Sequence, residues 1–128
     1  MGDRGNVEVI GRDGSSIFFY SHWGASYLLT TVAEALDSDA GRARRNDEDY
    51  LNRIIFCRMI AAVGGSLEDE MGFGIGTQPA GDAWLRVVVD HRNKTVKVIG
   101  HDEFPEMEMS FDKFIVGVGV AIDEGVMV

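Results

Sequence analysis

The spacing of apolar residues changes twice along this chain, and that change limits the fold more than any single motif does. Up to Tyr20, and again after Met71, apolar residues fall in short β-rich runs bounded by turn residues, the signature of strands. Between Gly24 and Val63 they recur every three or four positions, the period of a helix. Strands at both ends with helices between them predict an α+β domain rather than an alternating α/β one.

The first strands are Val7 to Ile10 and Ile17 to Tyr20, and the Asp13-Gly14 step between them is a hairpin turn signal. With Asp13-Gly14 as a two-residue loop, Val9 pairs with Phe18 and Val7 with Tyr20. That register puts His22 on one face with Val7, Val9, Phe18 and Tyr20, and turns Trp23 to the other.

Ala25, Leu28, Leu29, Val32 and Leu36 form the apolar stripe of a first helix. Asn46 fits as the N-cap of a second, with Asp47, Glu48 and Asp49 in its first turn and Gly64-Gly65 at its end. Apolar residues from Tyr50 to Ile60 surround most of its circumference, so it is expected to be the most buried helix. In "MGFGIG" glycine alternates with apolar residues, so Gly72, Gly74 and Gly76 give a strand with one face bare of side chains, open to close approach.

Trp84 to Val89 and Thr95 to Ile99 make a second hairpin, with Asn93 as the left-handed residue of its turn. Ser110 suits a helix cap, whereas "VGVGVAI" alternates like a strand, so the C-terminal segment reads as either. The expected order is β-β-α-α-β-β-β plus a final helix or strand. It describes one domain, residues 1–128, with an antiparallel sheet and the helix pair on one face.

A net charge of -9 opposes contact with nucleic-acid phosphates. No apolar run approaches the roughly 18 residues of a membrane span, and the lone Cys57 forms no internal disulfide, which points to the cytoplasm. Arg42, Arg44 and Arg45 are followed at once by acids, which predicts local charge pairing. Residues 101–128 are acidic and then apolar, and Val116, Val118, Val120, Ile122, Val126 and Met127 suggest a homo-oligomer contact through residues 114–128.

No spacing of His and Cys suits a metal, no nucleophile motif is present, and no cofactor is expected. The residues that together offer proton transfer, stacking and an anion clamp are Tyr20, His22, Trp23, Arg53 and Asp90. The competing role for His22 is a core histidine bonded to backbone or to an acid such as Asp90.

The segments "YSHWG", "YLNRIIF", "GFGIG" and "VVVD" resemble a group of small bacterial and phage proteins with no established activity. The resemblance covers most of residues 5–100, and the opening "GDRGNVEV" departs from it. It implies an architecture and a phage or prophage setting, and it assigns no catalytic residues. The expectation is a non-enzymatic binding module of phage type that holds a host protein or a small anionic ligand, counter-defence included. The alternatives are a small hydrolase of a nucleotide, with His22 as general base and Arg53 as phosphate clamp, and a self-assembling accessory protein.

Overall fold

In a computed structural model, which describes residues 2–126, the chain is an α+β domain with helices on one side of a six-stranded mixed sheet. The strands are β1 (Gly5–Ile10), β2 (Ser16–Ser21), β3 (Phe73–Gly76), β4 (Leu85–Asp90), β5 (Thr95–Ile99) and β6 (Met109–Ser110). A single 3₁₀ turn (Ala25–Tyr27) leads into α1 (Leu28–Asp37), followed by α2 (Asp39–Ala43), α3 (Glu48–Ala62) and, at the far end, α4 (Phe111–Asp123). Strand order is β3-β2-β1-β4-β5-β6.

The sheet departs from the expected all-antiparallel arrangement at its centre, where β1 and β4 run parallel, Val7 beside Val87 and Val9 beside Val89. Both strands are buried on the helix side, and α1 and α3 lie in the long crossover between them, as a parallel pair requires. The other pairs are antiparallel.

The first hairpin is slipped by one residue from the expected register. Val9 faces Ile17, Val7 faces Phe19, and Gly5 faces Ser21. The cause lies in the turn: Gly11 N–H bonds to Ser15 O at 2.9 Å, Gly14 N–H bonds to Gly11 O at 2.9 Å, and Gly14 has φ 86°. This is a three-residue loop closed by a left-handed glycine, not a two-residue one. The slip exchanges the faces. Val7, Val9 and Phe19 enter the core, while Phe18 and Tyr20 stand on the side away from the helices with Glu8 and Ile10, Phe18 buried there beneath Arg86. His22 therefore does not share a face with Val7 and Val9.

Leu28, Leu29, Val32 and Leu36 of α1 are all buried, and α1 lies between α3 and α4, so it is the most buried helix. The prediction for α3 fails because its outer side, including Tyr50 and Arg53, faces solvent. Its N-cap is Asp47, whose carboxylate accepts from Tyr50 N–H, rather than Asn46. Helical spacing prevails at the C-terminus: Phe111, Phe114, Val118 and Ala121 of α4 are buried, while Val116, Val120 and Ile122 are exposed. Of the apolar residues marked for an oligomer contact only Val118 is thus core, Val126 is exposed like Val116, Val120 and Ile122, and Met127 lies outside the described residues. In the β4–β5 turn Lys94, not Asn93, takes the positive φ, 55°.

The basic cluster pairs locally as expected, and Arg45 also reaches a distant acid. Arg42 meets Asp37 and Arg45 meets Asp112 at 2.9 Å, while Arg44 approaches Asp47 at 3.6 Å.

Candidate functional site

Five of the residues singled out by sequence, Tyr20, His22, Trp23, Gly72 and Gly74, meet at one corner of the sheet, while Gly76 lies further along beside Phe18. Tyr20 ends β2 on the uncovered face, and its cross-strand partner in β3 is Gly74. The chain then turns away because Ser21, buried on the helix side, accepts Gly24 N–H on its hydroxyl at 3.0 Å. A side chain at Gly24 would run into that hydroxyl and into Val63 at the end of α3, so glycine is required by the close approach.

His22 and Trp23 are carried on this turn. The Tyr20 hydroxyl and His22 Nδ1 are hydrogen-bonded at 2.8 Å, and the His22 and Trp23 rings meet edge to face at 5.2 Å. His22 N–H donates to Gly72 O at 2.8 Å, which ties the turn to the start of β3. Gly72 has φ 103°, and a Cβ placed there would lie 2.3 Å from the Trp23 ring. Close approach is therefore real at Gly72. It is not at Gly74, where a Cβ would meet nothing within 4 Å, nor at Gly76, where it would make only ordinary contact. Asp3 braces the corner from the other side. Its carboxylate accepts from Ser26 N–H and from the Trp84 indole, and these bonds outweigh the burial that would raise its pKa, so it is lowered.

Arg53 and Asp90 are elsewhere. Arg53 is exposed on α3, ten residues before Val63, which places it about 15 Å along the helix from the corner at 1.5 Å per residue. Asp90 closes the opposite end of β4, where Arg92 holds it at 3.0 Å and keeps its carboxyl below the usual range. The general base and phosphate clamp of the hydrolase alternative are thus not brought together.

The helix layer stops short of β3. Phe19 of β2 packs on Phe56 of α3, but Ile75, the next apolar residue outward in the same row, is 61% exposed. Ile17, Trp23 and Met71 are also exposed along this margin. A margin so rich in exposed apolar side chains is unlike the single exposed residues scattered over any protein surface.

The far end of the parallel pair holds a polar centre that the sequence reading passed over. His91 is 1% exposed, its N–H donates to Ile10 O at 2.9 Å, and its Nε2 donates to Asn52 Oδ1 of α3 at 2.6 Å. Nδ1 is buried without a partner among the described residues. Burial lowers the His91 pKa, Glu48 works against that, and Lys94 and Arg12 add to it. The signal was present: Leu85, Val87, Val89 and His91 continue one period-2 row that faces the core.

The recesses on the surface are shallow and open, about 140 to 390 Å³. Two of them hold two cations each: one between Arg45, Lys94 and the start of α4, where Arg45 is on Asp112 and Lys94 Nζ on Arg45 O at 2.9 Å, and one on α3 lined by Arg53 and Arg58. Among the described residues no group of His, Cys, Asp and Glu could hold a metal ion, and no helix is long and apolar enough to cross a membrane. No protein-family model, curated protein or solved structure matches the chain.

Proposed function

We propose that this chain is a non-enzymatic binding module of phage type that holds a host protein in the host cytoplasm. The observation that carries the reading is the margin around β3, where Ile75 on the strand, Ile17 on the neighbouring β2, and Trp23 and Met71 at the strand's start are each exposed. Protein interfaces place aromatic and aliphatic anchors at their centre and leave charge to the rim, and here Glu68, Asp69 and Glu70 are the adjoining rim. The separation of Arg53 from His22 favours binding over hydrolysis.

The test is retention of host protein by immobilised wild-type protein and by Ile75→Glu and Trp23→Ala. A partner held by wild type and at least tenfold depleted on Ile75→Glu is expected. An identical set of retained proteins on all three, or none, overturns the reading.

A further inference from the structure

The reading of a binding module leaves open how a partner is held, and the backbone of β3 supplies a specific means. In the antiparallel β1–β2–β3 ribbon the Gly11–Ser15 and His22–Gly72 hydrogen bonds fix which residues face which neighbour. The odd residues of β2 turn their main-chain groups to β1 and the even ones to β3. Gly72, Gly74 and Gly76 therefore direct their N–H and C=O groups toward β2. Phe73 and Ile75 direct theirs outward, where no described residue bonds them. Each offers one donor and one acceptor to an added strand.

We propose that the free edge of β3 takes up an extended, basic segment of a partner protein as a seventh strand of the sheet. The mode is strand addition, in which main-chain bonds supply affinity and alternate side chains supply selectivity. On the helix side the guest's side chains meet Phe73 and the exposed Ile75, which calls for apolar residues. On the other side Gly74 and Gly76 present no side chains, so long guest residues can lie across the bare strand toward Tyr20.

Charge chooses the occupant. From residue 59 to residue 85 the chain contains no Lys or Arg, while Glu68, Asp69 and Glu70 stand exposed just before the strand. A second copy would bring these acids against their own kind in a molecule of net charge -9. A guest with Lys or Arg alternating with apolar residues relieves both demands. The opposite edge offers nothing comparable, since β6 is two residues long and sits between Glu106, Glu108 and the start of α4.

The experiment uses a fluorescein-labelled nine-residue peptide alternating Val and Lys, read by anisotropy and by hydrogen exchange of the full chain. Binding should slow exchange of the Phe73 and Ile75 amides at least tenfold. Ile75→Pro removes an outward N–H that bonds no described residue, so the fold should persist by circular dichroism while affinity falls at least tenfold. Glu68→Lys with Glu70→Lys should weaken binding to a similar extent, and a Val–Glu peptide should not bind.

Host protein held as tightly by Ile75→Pro, with both amides unprotected, overturns strand addition and leaves the binding-module reading standing. Loss of both peptide and host protein on the wild type overturns the two together. A concentration-dependent dimer that protects the same amides would make the occupant a second copy and overturn the basic partner.

Discussion

The two ends of the central β1–β4 pair each carry a histidine just beyond a strand, and the surroundings give the two residues opposite characters. His22 sits on an open turn between Tyr20 and the exposed Trp23. His91 sits under α3, almost fully buried, with Asn52 on one nitrogen and none of the described residues on the other. A histidine beside aromatic residues attracts a chemical interpretation from sequence, yet the one that the fold buries beneath a helix is the other. Burial and partners, not neighbours in sequence, set what an imidazole does.

The strongest way to test this contrast is His91→Ala. It opens a cavity under α3 and removes the partner of the half-buried Asn52 amide, with an expected cost of about 2 to 4 kcal/mol by urea unfolding. A cost under about 1 kcal/mol would mean that the centre is wet and that the contrast with His22 is false. At the open end the largest effect belongs to Gly72→Ala, where a positive φ and the Trp23 ring together should cost about 2 kcal/mol. Gly74→Ala is its control, and should change stability by less than about 0.5 kcal/mol because nothing lies near the added methyl.

Acid should also separate the ends. The folded state holds His91 neutral, with its pKa below the ordinary 6.5, so the unfolded chain binds the proton more readily. Stability is then fully present above about pH 6.5 and declines as pH falls from there toward the lowered folded value. Asp90 and Asp3, whose pKa values are lowered from 3.8, contribute a separate loss at pH below that value. Thermal unfolding of wild type and His91→Phe between pH 7 and pH 5 reads the first window alone, and the variant should show the flatter profile. The smallest effect is expected from His22→Gln, about 1 kcal/mol or less, since only one half-exposed hydrogen bond to Tyr20 is altered. A loss as large as that of His91→Ala would restore the core role for His22.

Period and capping signals were enough to read the α+β class, the helical stripe of α1 and the end of α3 at Gly64 from the residues themselves. What escaped them depends on geometry across the chain. The Asp13-Gly14 step announces a turn, but loop length hinges on whether Gly14 alone takes a positive φ, and one residue there reverses every face of the hairpin. The parallel pairing of β1 with β4 has no local signature, because it joins residues 80 positions apart, Val7 with Val87. The corner was legible in part: Tyr20, His22, Trp23, Gly72 and Gly74 do converge, while Arg53 and Asp90 had been added by chemistry rather than by any spacing that links them. The exposed margin of β3 was invisible, since alternation shows that a strand has an apolar face but not whether a helix reaches it.

That central pair also governs how the chain acquires its structure. β1 and β2 can zip locally, but their other neighbour, β4, begins at Leu85, so β1 waits through two-thirds of the sequence for the strand that completes its ladder. Closing so long a loop before any reward is collected is slow. During synthesis the apolar row of Val7, Val9 and Phe19 has only α1 and α3 to shelter it until residue 90 has emerged. The helices packed over the sheet thus serve first as a temporary cover for an unfinished one, and a chain interrupted before Leu85 should be prone to aggregate rather than partly folded.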